Sequence, residues 1–436
     1  MKRLLGRIFV LAVAAAALVS GCECRGIDPE DPSYEKVLIL YSAGYNSLSN
    51  YLTEDIKDIR EGYVPGEKDK QVFLVVSHLP QSRSDYSTPT SPQLIRVVTK
   101  RKVGVVMDTL KTYPSTVALA KADDMKMILS DIKSMFRTDH YGMIFSSHAS
   151  GWLPAGYYNN PDKNDAQFSG GIRRAPAHYG LPEGAVPYVE PEEYPGAPDV
   201  KSIGMSNFKQ GGRSAAYEIE LQDFSASIPM HMDYIIFDAC LSGGIEVAYQ
   251  MKDVCDVVAF SQTEVLAEGL DYKKVGSRLL LNDSDVVGVA TDYFEHYASQ
   301  ADVTDQSATI SVIDCRQLDG LTSLCRTLFS MYREQIASLD PEAVQRYYRS
   351  FHHWFYDLED ILIKAGISAS EQSRLEAALD KCTLYKAASD AFLEFYGGFK
   401  IDVFSGLSMY LPCNGSAYLD NYYKCLEWNK ATELVD

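Results

Sequence analysis

Positive charge is scarce in this sequence. Its 436 residues hold 41 Lys and Arg against 59 Asp and Glu, a net charge of −18 and a pI near 4.9. A nucleic-acid partner needs a basic face, so that role is excluded, while a cationic substrate is permitted. Cysteine is also sparse. Nine residues fall far below the density of a small disulfide-stapled scaffold, so an apolar core must hold the fold, and a 46% hydrophobic composition can supply one. Beyond the N-terminus there is no run of about 20 uninterrupted apolar residues, so no membrane span is expected. Three common catalytic motifs are missing: the G-x-x-x-x-G-K-[ST] phosphate loop, the H-E-x-x-H zinc helix and the G-x-S-x-G nucleophile elbow. Reactivity must come from another constellation. Fixed-period repeats and low-complexity tracts are absent as well.

The N-terminus carries an address. Lys2, Arg3 and Arg7 precede an apolar run from Ile8 to Val19, and small residues lead to Cys22, the layout of a secretory signal over residues 1–21. The ending Leu18-Val19-Ser20-Gly21-Cys22 resembles the bacterial lipobox. That resemblance implies lipidation of Cys22 as the mature N-terminus, and an exported lipoprotein of the cell envelope, at the outer membrane or cell surface. The membrane contact expected is the lipid anchor alone, since two acyl chains suffice where one does not. Loss of residues 1–21 would leave a net charge of −21. Residues 22–35, polar and rich in proline and acid, read as a tether.

Residues 36–314 read as the main body. Lys36–Tyr41, Gln71–Ser77, His140–Ser147, Asp233–Ala239, Asp256–Ser261 and Ser307–Ile313 are short, β-prone runs of the kind buried on both faces of a parallel sheet. Within 119–137, Met125, Ile128, Leu129, Ile132, Met135 and Phe136 recur with helical spacing. This alternation predicts an α/β/α sandwich around a mostly parallel sheet. From 149 to 215 the periodicity stops, and an insert of that length is expected to be either functional or mobile. Residues 315–436 read as a mainly helical region, with helices over 315–338, 341–363 and 369–396, and one returning strand at Gly406–Leu411.

Two residues each end an apolar strand and begin a turn of small residues: His148 in MIFSSHASGW and Cys240 in YIIFDACLSGG. Groups at the carboxyl ends of neighbouring parallel strands converge in one crevice. A thiolate there is a nucleophile, and an adjacent imidazole can stabilise it and protonate a leaving amine. Gly243 and Gly244 allow a tight turn into a helix over 245–252, whose N-terminal amides would favour a thiolate and an oxyanion. Taken singly, a buried structural cysteine and a turn histidine are the plain alternatives. Spacing alone also leaves open a hydrolase or transferase acting on another substrate.

At these residues the sequence resembles the clostripain-like cysteine peptidases, whose caspase-like α/β/α fold is shared with gingipains and legumains. The resemblance rests on SSHASGW (146–152), DYIIFDAC (233–240) with LSGG after it, DVVAFSQTE (256–264) and GLSMYLP (406–412), and extends from about Lys36 to the end. It implies a cysteine endopeptidase that cleaves peptides and proteins after Arg, then Lys. His148 would be the general acid/base and Cys240 the nucleophile, with the backbone N–H groups of Cys240 and Ala149 forming the oxyanion hole. Ala149 stands where the family more commonly has Gly, and a left-handed backbone there would disfavour it. By strand alternation Asp238 points to the same side as Cys240, and the resemblance makes it the S1 acid for a basic side chain. Glu264, Glu268 and Asp271 are the candidates for a second S1 acid. The insert carries Arg173, Arg174, Lys201, Lys209 and Arg213. The family's zymogen habit implies self-cleavage there, after Arg174 or Arg213. No cofactor is required by this mechanism. Calcium dependence occurs in the family, although no EF-hand type loop is present. A monomer is expected. The alternative from another class is a non-catalytic envelope lipoprotein whose cleft binds a peptide or protein partner.

His352, His353, Asp357, Glu359 and Asp360 superficially suggest a metal cluster, but adjacent helical histidines point about 100° apart, so no metal site is expected. Besides Cys22 and Cys240, the cysteines are 24, 255, 315, 325, 382, 413 and 425, an odd set that assigns no disulfide.

Overall fold

The computed structural model describes residues 34–43, 48–78, 90–157, 198, 200, 206–210, 213–281, 283–349 and 353–436, with backbone alone over 206–217. The chain divides into Met1–Pro32 and Ser33–Asp436, and all described residues lie in the second unit. Cys22, Arg173, Arg174, Lys201 and His352 lie outside them.

In chain order the strands are β1 (Lys36–Ser42), β2 (Gln71–Ser77), β3 (Gln93–Lys100), β4 (Gly104–Thr112), β5 (Tyr141–Ser146), β6 (Ser206–Gln210), β7 (Arg213–Tyr217), β8 (Met232–Asp238), β9 (Cys255–Phe260), β10 (Thr309–Asp314), β11 (Tyr356–Asp357), β12 (Thr383–Ala388), β13 (Ala391–Phe392), β14 (Phe399–Lys400) and β15 (Ser408–Met409). The helices are α1 (Ser49–Ile59), α2 (Ala122–Met135), α3 (Leu221–Ala226), α4 (Ile245–Met251), α5 (Tyr272–Leu280), α6 (Val286–Ala298), α7 (Leu318–Met331), α8 (Arg333–Ala337), α9 (Leu358–Lys364), α10 (Ala369–Cys382), α11 (Ala417–Tyr423) and α12 (Glu427–Thr432).

Nine strands form one sheet in the order β12-β10-β9-β8-β5-β1-β2-β3-β4. The centre, from β9 to β2, is parallel, and both flanks are antiparallel. The apolar runs of β1, β2 and β5 are buried almost end to end, because helices cover both faces. On one face α1, α5 and α6 pack in sequence; on the other lie α2, α3, α4, α12, α7 and α10. The predicted amphipathic helix is α2, which buries Met125, Ile128, Leu129 and Ile132 against the sheet.

Several elements differ from the sequence expectation. The edge hairpin β3–β4 was not anticipated, since β4 is mostly solvated and its pattern is broken by a turn with left-handed backbone at Lys102 (φ 69°) and Gly104 (φ 92°). The helix expected over 369–396 ends at Cys382, and the alternating Thr383–Ala388 segment joins β10 as an edge strand. Of the helix expected over 341–363, the described residues form a short 3-10 turn at Pro341–Ala343 and α9 at its end, where Asp357 caps the helix by accepting from the Asp360 N–H. The insert closes on a two-stranded ladder, β6 with β7, rather than continuing irregularly to 215. Gly406–Leu411 contributes only the two-residue β15, paired with β11 outside the main sheet. Among the described residues no helix is long and apolar enough to cross a membrane.

Candidate active site

The site forms where β5 and β8 leave the sheet. These strands are parallel neighbours in which Ser146 faces Asp238. His148 and Cys240 each follow two residues later, so the two chains emerge side by side at the carboxyl edge of the sheet, as a strand-end crevice requires. Local contacts hold both exits. Ser147 Oγ donates to the Ala43 carbonyl at 3.0 Å. The left-handed position of the first loop is Gly151 (φ 60°), not Ala149, so alanine at 149 carries no backbone penalty there. A Cβ on Gly151 would lie 2.3 Å from the Leu241 carbonyl oxygen, so the loop after His148 rests directly on the turn after Cys240. Trp152 anchors it in an aromatic nest with Phe355, Tyr410 and Tyr423.

The turn after Cys240 carries strain. Leu241 has φ 55°, a conformation that costs a residue with a Cβ roughly 1–2 kcal/mol. It persists because Leu241 is buried and its N–H donates to the Thr263 carbonyl at 2.9 Å. Gly243 passes so close to Gln262 that a Cβ would meet its backbone nitrogen at 2.6 Å. The chain then enters α4, capped by Gly244. A donor from outside this helix reaches the cysteine. The Val265 N–H, in the loop after β9, donates to Cys240 Sγ at 3.1 Å. Cys240 is fully buried and His148 is 9% exposed.

Asp238 ends β8, two residues before Cys240, and is 1% exposed. Its Oδ2 accepts from Tyr272 Oη at 2.6 Å and from Ser146 Oγ at 3.0 Å. Burial, then the Asp238 charge, holds the Tyr272 phenol far above its ordinary range, so it stays a donor. Tyr293 on α6 lies in electrostatic reach of both Asp238 and Cys240, its phenol likewise raised by burial. The three other acids separate clearly. Glu264 is buried and gripped by Arg349, with Nε to Oε2 at 2.7 Å and Nη2 to Oε1 at 2.9 Å. Asp271 precedes α5 and pairs with Lys274 at 3.1 Å. Glu268 is at the surface, 3.2 Å from His296, and shares with Asp238 an electrostatic influence on buried Tyr297. Ser146, Tyr272, Val265 and Arg349 were missed from sequence: Ser146 lies in the SSHASGW block but only the pairing of β5 with β8 brings it to Asp238, and the other three lie outside every motif, Arg349 in a distant segment.

Other sequence candidates have structural employment. His353 Nδ1 meets the Tyr348 carbonyl and its Nε2 meets Arg346, while Asp357 takes hydrogen bonds from Tyr347, Ser405 and Asp360. All seven cysteines among the described residues are free thiols. No group of three or more His, Cys, Asp or Glu side chains among the described residues is placed to hold a metal ion.

A parallel-centred sheet covered on both faces, with a cysteine and a histidine leaving adjacent strands, defines the caspase-like class of fold. The sequence model of the Clostripain family, peptidase C11, matches residues 40–164 and 201–434. The chain belongs to this family and is a cysteine peptidase. Among solved structures it is similar to an inactive zymogen C11 protease from Parabacteroides distasonis, at 22% identity over 92% of this chain and 99% of that one, with a TM-score of 0.70. A secreted C11 cysteine protease from Bacteroides thetaiotaomicron, iotapain, matches at 21% identity over the same shares, with a TM-score of 0.68. A secreted C11 cysteine protease from that organism in complex with an irreversible peptide inhibitor gives 23% identity, again over 92% and 99%, and a TM-score of 0.68. At these identities the likeness speaks to the fold. None of the curated proteins matches the chain.

Proposed function

We propose that this cysteine peptidase is an exported, lipid-anchored endopeptidase that cleaves after Arg, then Lys, through a Cys240–His148 dyad. The observation that carries the reading is the register of β5 and β8, which sends His148 and Cys240 out of the sheet together with Asp238 buried beside them. The Cys240 thiolate attacks the scissile carbonyl carbon, and the oxyanion forms against the N–H groups of Cys240 and Ala149. The C–N bond breaks as His148 delivers its proton to the leaving amine, which leaves a thioester on Cys240. A water then attacks, His148 takes its proton, and the C–S bond breaks to release the acid. Asp238 supplies the negative charge that a substrate guanidinium or ammonium pairs with at P1. Glu268 is the second acid we favour, because it is the most exposed of the three and its partner is a histidine, whereas Glu264 and Asp271 are held by the permanent cations of Arg349 and Lys274. Lipidation at Cys22 and cleavage after Arg174 or Arg213 belong to the same proposal.

Hydrolysis of short fluorogenic peptides ending in Arg, Lys or Asp, measured after limited trypsin nicking of the insert, tests the reading. Turnover of the Arg and Lys peptides that vanishes in Cys240→Ala is expected. Absence of turnover of every peptide would favour the non-catalytic binder instead.

A further inference from the structure

Cys240 Sγ receives a hydrogen bond that the sequence motif does not contain. The Val265 N–H points at the sulfur from 3.1 Å, while the Val265 carbonyl lies 3.9 Å away, at the outer limit for a thiol donor. The sulfur is thus placed mainly as an acceptor. A thiolate accepts far more strongly than a thiol, so an amide fixed in this position favours the charged form. The effect requires that the amide stay put, because hydrogen bonds weaken steeply with misalignment.

Two clamps fix the loop. On its upstream side Gln262 Nε2 donates to Ser311 Oγ at 2.7 Å and to the Gly406 carbonyl at 2.8 Å, and the Thr263 N–H donates to Thr309 Oγ1 at 3.2 Å. The next residue, Glu264, is held by the planar fork of Arg349 through two bonds, with side-chain exposures of only 10% and 1%. Arg349 comes from 85 residues further along the chain, and its Nη1 also reaches the Tyr396 carbonyl at 3.4 Å. A buried ion pair returns little net stability after desolvation, but a bidentate fork dictates orientation. Here it sets the peptide plane between Glu264 and Val265, whose N–H is the donor to sulfur.

We propose that the Val265 amide is a thiolate-stabilising donor and that Arg349, acting through Glu264, is the positioning residue that keeps it aimed at Cys240. The inference rests on the reading of Cys240 as the nucleophile. Of the ionisable groups on neighbouring elements, Tyr293 on α6 interacts electrostatically with both Cys240 and Asp238. His148 after β5, Asp238 on β8 with its donor Tyr272 on α5, and Glu264 with Arg349 belong to the segments around it, and Asp55 acts on Tyr272 and Tyr297. Arg349→Met removes a positive charge together with the fork, whereas Arg349→Lys keeps the charge and loses the bidentate geometry, so the part of the shift that Lys fails to recover belongs to the fork.

The test is the rate of Cys240 alkylation by iodoacetamide against pH on the full chain, read by mass spectrometry of the Cys240 peptide. The variants are Arg349→Met, Arg349→Lys and Glu264→Gln. The wild type should titrate below the free-thiol value of about 8.5. Arg349→Met should raise the midpoint by about one pH unit with the high-pH plateau unchanged, and Arg349→Lys should recover part of the shift. Glu264→Gln keeps a hydrogen bond to Arg349, gives a smaller rise, and serves if Arg349→Met does not fold. An unmoved midpoint in the folded variants overturns the proposal, and so does a raised plateau with no shift, which would make the pair a cover over the cysteine. A midpoint shift without peptide turnover would leave this inference standing and sink the proposed function; turnover with no shift would do the reverse.

Discussion

Ser146 and Asp238 face each other across β5 and β8, and the serine hydroxyl donates to the aspartate carboxylate at 3.0 Å. This bond lies two residues before His148 and Cys240, so it ties the proposed specificity acid to both strands that carry the proposed dyad. Tyr272 completes the hold at 2.6 Å from α5. Two neutral donors fix the carboxylate without neutralising it, which suits an acid that must meet a cation.

Replacing that charge while keeping the shape isolates it. Asp238→Asn can still accept from Tyr272 and Ser146, so thermal stability should change little. kcat/KM for an Arg peptide should fall by about 2–4 kcal/mol, or ~30- to 1000-fold, the range for losing one partner of a buried charge pair. Steady-state kinetics on matched Arg and Asp peptides reads this directly, and unaltered Arg turnover would contradict the S1 assignment.

Glu268 should matter less and in a salt-dependent way. Its side chain is 71% exposed, so screening limits its pull on a substrate cation. Glu268→Gln should raise KM for Arg peptides about two- to five-fold at low salt, and the difference should vanish near 0.5 M salt. A KM change that persists at high salt would place Glu268 in direct contact rather than at the rim.

Gly151→Ala tests the contact between the loops that follow His148 and Cys240. The added Cβ would meet the Leu241 carbonyl at 2.3 Å and Phe355 at 3.0 Å, on a left-handed backbone. The combined strain and overpacking should cost about 2–4 kcal/mol in urea unfolding. Peptidase activity should fall with it, because relief requires the His148 and Cys240 loops to separate. A variant with wild-type stability and activity would show that the two loops are not mutually supported.

The central strands were legible in the sequence because a strand buried on both faces is a continuous apolar run, and β1, β2, β5, β8 and β9 all have that form. His148 and Cys240 could be read because they end such runs. The flanks were harder. Thr383–Ala388 looks helical when joined to α10, and only its partner β10 makes it a strand. The donors around the site were illegible for a related reason. Val265 acts through its backbone, which any residue supplies, and Arg349 is positioned by chain tracing over 85 residues.

The insert gives a prediction about processing. Its ends are stapled near the site: Glu218 accepts from Ser150 Oγ at 2.8 Å and from the Gly156 N–H at 2.7 Å, and Glu220 accepts from the Ala155 N–H at 3.0 Å. Cleavage between these anchors should therefore give two fragments that remain together under native conditions. Denaturing mass spectrometry of the wild type should show a cut after Arg174 or Arg213, absent in Cys240→Ala, with one species on native size exclusion. An intact wild type indistinguishable from Cys240→Ala would refute self-processing. Arg213 opens β7 against Gln210, so cutting there requires that ladder to open first.

Two buried carboxyls set an unusual direction for the pH dependence of stability. Burial pushes Glu246 up to about 7, although its Oε1 accepts from Tyr423 Oη and the Tyr410 N–H, and burial pushes Glu220 up to about 8. In the unfolded chain both lose their protons near 4.5, so between that pH and 7–8 the folded state binds more protons. Their stabilisation is thus complete below about 4.5 and is lost as pH rises through 7–8, opposite to an ion-paired carboxylate. Each group adds a slope of at most about 1.4 kcal/mol per pH unit within the window. Urea unfolding at pH 5, 6 and 7 should show a declining free energy, with the slope flattened in Glu246→Gln, which keeps both hydrogen bonds and cannot ionise. An equal slope in wild type and Glu246→Gln would show that Glu246 is already charged in the folded protein.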